Sequence, residues 1–144
     1  MSDKGVTIDF LIRQNFYKYQ RLYNQKAMEY GVSISVGYVL LMVEKEGTPS
    51  TQLGPKMGME STSLSRTLKL MEDDGLIRRV LDTVDKRKVL IFLTEQGVEK
   101  RRIAKEVVLG FDEKLIKIFP KDKLSSFYKM MHQIDDFLEN ELKK

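Results

Sequence analysis

The feature that most constrains this chain is a pair of short helix-forming segments followed at once by two strand-forming runs. Residues 49–58 predict a short helix that ends in a turn at Gly58, and residues 61–75 predict a second helix that ends at Gly75. Residues 77–81 and 88–93 are two strand-like runs joined by the polar residues 82–87, which predicts a hairpin. A helix, a turn, a second helix and a hairpin in this order predict a winged helix-turn-helix.

Amphipathic helices are predicted on both sides of this region. From Ile8 to about Tyr30, apolar residues recur at three- and four-residue steps until Gly31, which is typical of a helix longer than about five turns. After the hairpin, Thr94 is the predicted N-cap of a helix that Pro120 breaks, and another helix follows. The predicted fold is therefore mainly α with a small β-hairpin wing.

Three boundaries in the middle of the chain depend on capping residues and prolines. Ser35 is predicted to cap a helix that runs to Gly47. Thr48 and Pro49 are predicted to begin the next helix as its N-cap and its first-turn residue. Gly54-Pro55 is predicted to interrupt or kink that helix, because an interior proline lacks a hydrogen-bond donor and clashes with the preceding turn.

Composition excludes several kinds of chemistry. The 144 residues contain no cysteine, so disulfides, zinc–cysteine sites, iron–sulfur clusters and thiol-based sensing are excluded. His132 is the only histidine, which excludes a metal site built on two histidines, and no glycine-rich phosphate loop occurs. We therefore expect no enzymatic activity, no cofactor and no metal site.

Charge and hydropathy suit a nucleic-acid partner and do not suggest a membrane protein. The net charge is +4, a mild excess that is compatible with nucleic acid but also common elsewhere. No apolar run approaches the roughly 20 residues of a membrane span. The polar residues 1–5 do not resemble a secretory signal, so we expect a cytoplasmic protein.

The predicted helix of residues 61–75 has two different faces. One side of its helical wheel is apolar and consists of Leu64, Leu68 and Met71. The opposite side carries Thr62, Arg66, Lys69 and Asp73. This outward side is basic in its N-terminal half and acidic at residues 72–74, so DNA would have to meet the N-terminal half, as in a recognition helix. The alternative is that the outward side is only a solvated face.

The turn of the predicted hairpin concentrates positive charge. Lys86, Arg87 and Lys88 follow one another there. A basic tip beside a recognition helix can reach the minor groove, where the electrostatic potential of DNA is most negative. This tip favours the DNA-binding interpretation of the neighbouring helix over the solvated face.

Four stretches in this region resemble the MarR (multiple antibiotic resistance regulator) family of bacterial and archaeal transcription factors. They are Ser63 to Leu68, Asp74 to Arg79, Asp82 with Asp85-Lys86-Arg87, and Leu93 to Gly97. Their order and spacing are also similar to those of the family, and the flanking helices extend the resemblance over nearly the whole chain. Leu53-Gly54-Pro55 departs from it, because the family often has Leu-Ala-Glu there.

The resemblance implies a homodimer with interlocked terminal helices that binds a pseudo-palindromic operator. We expect this binding to repress transcription. By position, Arg87 would enter the minor groove, Asp85 would hold Arg87 in place, and the start of the recognition helix would approach the major groove. The expected DNA-binding residues are Ser61, Thr62, Ser63, Ser65, Arg66, Lys69, Asp85, Lys86, Arg87 and Lys88.

The resemblance also gives an expected organisation of the chain. Residues 1–144 would form one MarR-type domain, in which residues 33–95 are the winged helix-turn-helix and residues 6–31 and 96–144 are dimerisation helices. Apolar stripes on the terminal helices independently favour a dimer, because one small winged domain cannot cover them. Many relatives bind small aromatic or acidic molecules, and the candidate pocket walls here are Tyr17, Tyr23, Tyr30 and Tyr38.

Two other functions stay open on the sequence alone. An architectural protein could bind DNA without sequence preference through the same basic residues. A winged domain can also serve as a protein-interaction module, although the basic wing tip argues against that function.

Overall fold

The computed structural model describes residues 5–144, so the predicted polar start at residues 1–4 lies outside the described part. Six helices and three strands follow one another there. The helices are α1 (Ile8–Glu29), α2 (Ile34–Met42), α3 (Ser50–Met57), α4 (Ser61–Asp73), α5 (Glu95–Ile116) and α6 (Lys121–Leu142). The strands are β1 (Thr48–Pro49), β2 (Ile77–Leu81) and β3 (Val89–Leu93). This order confirms the winged helix-turn-helix fold with flanking helices.

The wing is a small antiparallel sheet in the order β1-β3-β2. In the predicted hairpin, Ile77 lies opposite Leu93 and Leu81 lies opposite Val89. The sequence analysis missed β1, whose Thr48 lies opposite Ile91. β1 pairs with the edge of β3 that β2 leaves free, so the hairpin is attached to the rest of the domain through β1.

Thr48 and Pro49 do not begin α3, contrary to the sequence prediction. Thr48 is only 2% exposed, and its hydroxyl accepts a hydrogen bond from the backbone N–H of Glu44 at 2.8 Å. Its side chain therefore closes the turn before β1 and is not available to cap a helix. Pro49 keeps an extended backbone (ψ 132°) and is itself the N-cap residue of α3.

The predicted limits of α2 were also wrong. The N-cap is Ser33, whose hydroxyl accepts from the N–H of Val36 at 3.2 Å, rather than Ser35. The helix ends at Met42 because Val43 turns to an extended conformation (ψ 122°). Gly47 lies beyond the helix with a φ of 91° in the turn that leads to β1.

Gly54-Pro55 does not interrupt α3, although the helix is short, as predicted. Pro55 lies in its last turn, so the missing donor costs only the bond to the carbonyl of Thr51, which is exposed and can be hydrated. The carbonyls of Gly54 and Pro55 accept bonds from Met59 at 3.0 Å and Gly58 at 3.4 Å. Gly58, with φ 63°, closes the helix in the left-handed conformation.

The core of the winged region is built where α2, α3, α4 and the sheet meet. Its fully buried members include Val39, Leu40, Val43, Leu53, Met71 and Ile91. The predicted inward face of α4 is confirmed, because Leu64, Leu68 and Met71 are all buried in this cluster. Burial of that face turns the opposite side of α4 outward.

The start of α5 is fastened to the end of α4. The Thr94 hydroxyl donates to the carbonyl of Gly75 at 2.6 Å and accepts from the N–H of Gly97 at 3.0 Å, so it is the predicted N-cap. Gly97 is buried, and a Cβ there would lie 2.0 Å from the carbonyl oxygen of Leu76. Only glycine allows this close approach between α5 and the chain that leaves α4.

The chain divides into two compact units, one that ends at Glu106 and one from Val107 to Lys144. In the first unit, α1 packs on α2 but contains no buried residue. In the second unit, α6 also contains no buried residue, and Phe127 and Phe137 are 50% and 61% exposed. Both terminal helices therefore carry apolar surface that a single chain leaves in water.

We predict that Gly97→Ala destabilises the protein by about 1–3 kcal/mol, because the added methyl group overlaps backbone atoms that cannot easily move. Gly37→Ala is the matched control in α2, where a Cβ meets nothing within 4 Å. The control should be neutral or stabilising, since alanine is favoured over glycine inside a helix. Denaturant unfolding of the two variants measures both effects, and equal stabilities would contradict the close packing at Gly97.

Candidate nucleic-acid interface

The outward side of α4 presents hydroxyl groups and positive charge together. All six residues predicted to bind DNA from this helix are exposed: Ser61, Thr62, Ser63, Ser65, Arg66 and Lys69. Within residues 5–144 Arg66 forms no ion pair, whereas the Lys69 ammonium lies 3.9 Å from the Asp73 carboxylate. The guanidinium of Arg66 is therefore the cation of this face that is most available to a partner.

The N-terminus of α4 leaves its first backbone donors available. The first helical hydrogen bond runs from Leu64 to the carbonyl of Glu60, so the N–H groups of residues 61–63 have no partner within the helix. Glu60, the N-cap residue, makes no side-chain capping bond. These donors and the helix dipole together favour an anion such as phosphate at this end of α4.

The acidic end of α4 is partly neutralised by basic neighbours. Glu72 lies 3.4 Å from the Nε of Arg79 on β2, and Asp73 pairs with Lys69. Two of the three carboxylates at residues 72–74 thus have a basic partner. The N-terminal half of the helix remains the part with uncompensated positive charge, as the sequence indicated.

The wing tip, residues 82–88, is closed by its own polar groups. The N–H of Asp82 bonds to the carbonyl of Lys88 at 3.0 Å, and the N–H of Lys88 bonds to the carbonyl of Asp85 at 2.9 Å. The carboxylate of Asp82 also accepts from the N–H of Val84 at 3.0 Å. These bonds order the turn while its cationic side chains point into solvent.

Asp85 contacts the wing arginine directly. Its Oδ1 accepts from the backbone N–H of Arg87 at 3.1 Å and from the Arg87 Nε at 3.2 Å. The Arg87 side chain is nevertheless 93% exposed. Asp85 therefore restrains the base of this guanidinium and leaves its terminal nitrogens free to approach a partner.

Arg78 and Arg79 were not among the predicted site residues. On β2 they alternate: the Arg78 guanidinium lies 4.7 Å from the centre of the Phe92 ring on β3, and Arg79 pairs with Glu72. The sequence signal that could have indicated the Arg79–Glu72 pair is the presence of two consecutive arginines a few residues after an acidic helix end. Strand alternation sends such neighbours to opposite faces, so only one of them could meet the helix.

The four candidate pocket tyrosines are distributed over α1, its end and α2. Tyr17 is exposed and its ring contacts Phe16, while the Tyr23 ring stacks on Tyr19 at 5.7 Å. Tyr30 is the C-cap residue of α1, and burial raises the pKa of the Tyr38 phenol on α2. The rings of Tyr17 and Tyr23 thus contact other aromatic residues of α1, and a pocket shared by the four tyrosines stays a prediction.

The described part of the chain contains neither a cluster of metal-ligating side chains nor a membrane-spanning helix. Between residues 5 and 144, no three histidine, aspartate or glutamate side chains are grouped so that they could hold a metal ion. None of the described helices combines the length and the apolar character that a membrane crossing requires.

Comparison with known families gives the geometry a context. The sequence model of the MarR family matches residues 39–89, from α2 to the start of β3. A transcriptional regulator of the helix-turn-helix type, TtmR of Methylorubrum extorquens (strain PA1), is 39% identical over 62 residues. Over residues 39–89 the chain is therefore similar to the MarR family.

The match to the curated MarR-type relatives is local. It covers 42% of this chain and 32% of TtmR. The organic hydroperoxide resistance transcriptional regulator of Bacillus subtilis (strain 168) is 35% identical over 78 residues, which are 52% of this chain and 53% of that protein. The alignments thus span a third to a half of these relatives. The 144 residues of this chain contain no cysteine.

Solved structures share the fold over almost the whole chain. MepR of S. aureus in its DNA-binding conformation has a TM-score of 0.82 at 17% identity, with 92% of this chain and 98% of MepR covered. CouR of Rhodococcus jostii RHA1 bound to p-coumaroyl-CoA has a TM-score of 0.78 at 23% identity, with coverages of 90% and 92%. At these identities the likeness concerns the fold alone.

Proposed function

We propose that this chain is a MarR-family transcription regulator, acting as a repressor, that binds a pseudo-palindromic DNA operator as a homodimer. The observation that supports this most is the outward side of α4, which combines exposed hydroxyl groups, an unpaired Arg66 and free N-terminal amides. The match of residues 39–89 to the MarR family model and the similarity to MepR in a DNA-binding conformation support the same proposal.

In this proposal the first turns of α4 enter the major groove. Hydroxyl side chains can donate to or accept from base edges, and an arginine can donate two hydrogen bonds to guanine. Arg66 and the hydroxyls of Thr62 and Ser65 would approach the bases, while the free amides at residues 61–63 would hold a phosphate. The acidic end of α4 would point away from the backbone of the DNA.

The wing supplies the second contact. Arg87 would enter the adjacent minor groove, with Lys86 and Lys88 near the phosphates on either side. Because Asp85 already restrains the base of the guanidinium, less side-chain entropy is lost when Arg87 binds. Asp85 thus acts as a positioning residue in this proposal and does not need to touch the DNA.

Dimerisation would cover the apolar surface that α1 and α6 leave exposed. It would also place two recognition helices on two half-sites about one turn of DNA apart, which is how two-fold symmetry matches a palindrome. CouR binds p-coumaroyl-CoA, and we extend effector binding to this chain as a small aromatic or acidic molecule near Tyr17, Tyr23, Tyr30 and Tyr38. The regulator would act in the cytoplasm, where bacterial and archaeal DNA lies.

Selection of DNA from a random library, followed by equilibrium binding, tests the function. The best selected site should bind about 10³–10⁷-fold more tightly than a scrambled site, as specific regulators do. Arg66→Ala should cost about 1–3 kcal/mol on the selected site and less on the scrambled one. Similar affinities for both DNAs would contradict the proposal and indicate an architectural protein.

A second prediction concerns Arg87 in the wing tip. Arg87→Ala should change the free energy of unfolding by less than about 0.5 kcal/mol, because the side chain is on the surface. It should weaken DNA binding and reduce the slope of log affinity against log salt by about 0.9, the value for one phosphate charge.

Asp85→Ala should also weaken DNA binding, although it removes a negative charge, because Arg87 then loses its restraint. Asp85→Asn is the control, since the amide oxygen can still accept from both Arg87 donors. Titrations at one salt concentration compare the two variants. Tighter binding by Asp85→Ala would show that Asp85 is only a repulsive neighbour of the phosphates.

The dimer is tested by sedimentation at micromolar concentration, where the mass should be about twice 16.8 kDa. Phe127→Glu and Phe137→Glu on α6 should lower that mass, because a charge would have to be buried without a partner. A monomeric wild-type chain that binds a palindrome tightly would contradict the proposed assembly.

A further inference from the structure

We propose that the ion pair between Glu72 and Arg79 sets the position of the wing relative to α4, so that the two grooves of DNA are contacted at once. This inference rests on the proposed function. Glu72 is in the last turn of α4, and Arg79 is in the middle of β2, so the pair joins the recognition helix to the wing. Neither residue is among the side chains proposed above to touch DNA.

Besides the Glu72–Arg79 pair, the wing is held at the start of β2, where Ile77 is buried in the core, and along β3. β2 pairs with β3 alone, and β3 is held by β1 and by the Phe92 ring, against which Gly47 packs so closely that a Cβ would lie 2.6 Å away. The Arg78 guanidinium covers the same Phe92 ring from β2. Strand alternation puts Arg79 on the same face of β2 as the buried Ile77, and from this face Arg79 meets Glu72 of α4 at 3.4 Å.

The wing tip begins only a short distance along β2 from this pair. Arg79 lies opposite Ile91, and the strand continues for only two residues before the wing tip begins. A change in the angle between β2 and α4 at this pair therefore moves Arg87 relative to the outward side of α4. Both partners are half-exposed, so the pair contributes little to global stability and its effect should concern geometry.

An alternative makes the opposite prediction for the same variant. If Glu72 were only a carboxylate near phosphate, its removal would strengthen DNA binding. Asp73 provides a matched control on the next residue, because its ion pair with Lys69 stays within α4 and cannot position the wing. Glu72→Gln and Asp73→Asn change the net charge by the same amount.

The test measures affinity for a selected DNA site with these two variants. We expect Glu72→Gln to weaken binding about two- to five-fold, the size of a partly exposed ion pair, and Asp73→Asn to strengthen it slightly. The salt slope should stay unchanged in Glu72→Gln, because no phosphate contact is lost. The loss should disappear in an Arg87→Ala background, and the reversed pair Glu72→Arg with Arg79→Glu should restore binding.

Equal strengthening by both variants, or the same loss with and without Arg87, would overturn the inference. Amide hydrogen exchange of residues 82–88 in the free protein gives a readout without DNA. Exchange there should be faster in Glu72→Gln than in Asp73→Asn, and equal rates would also overturn the inference. A wild-type chain that does not discriminate between DNA sites would instead contradict the proposed function, while hydrogen exchange would still decide whether the pair restrains the wing.

Discussion

Burial of the apolar face of α4 is the interaction on which the rest of the structure depends. Leu64, Leu68 and Met71 pack into the cluster formed with α2, α3 and the sheet. Because these three residues lie on one side of the helix, their burial fixes the rotation of α4 about its axis. Arg66 and the hydroxyl residues are then exposed without any need for further interactions, so one packing contact determines both the stability and the outward chemistry of the helix.

The wing depends on this helix and on the junction that follows it. The chain leaves α4 at Gly75, whose carbonyl is held by Thr94, and Gly97 lets α5 approach Leu76 closely. β2 therefore starts from a fixed point, and β1 and β3 hold the sheet from the other side. A rigid base with a short polar tip is suited to present Arg87, whose restraint by Asp85 is already present in the free chain.

Periodicity was sufficient to predict most of the fold. The helices α1, α4, α5 and α6 and the inward face of α4 follow from apolar residues at three- and four-residue steps, and the two strands of the hairpin follow from short apolar runs. The exposure of the predicted α4 residues follows for the same reason. Their contact with DNA remains a prediction, as does the pocket formed by the tyrosines.

The errors arose where tertiary contacts determine a local choice. Thr48-Pro49 has the composition of a helix start, yet β1 forms because Thr48 can be buried opposite Ile91, some forty residues later in the chain. Pro55 was expected to break α3, but its position in the last turn makes the lost hydrogen bond cheap. The Glu72–Arg79 pair depends on how the sheet packs on α4, which no local pattern contains.

A chemical footprint of the protein on its best selected DNA site tests the central claim most directly, because it reads both grooves at once. Two protected major-groove segments should lie about one helical turn, or a multiple of it, apart, with protected minor-groove sugars flanking them. Arg87→Ala should remove the flanking protection and keep the major-groove protection. A single protected segment, or flanking protection that persists without Arg87, would contradict a symmetric complex in which α4 reads one groove and the wing the other.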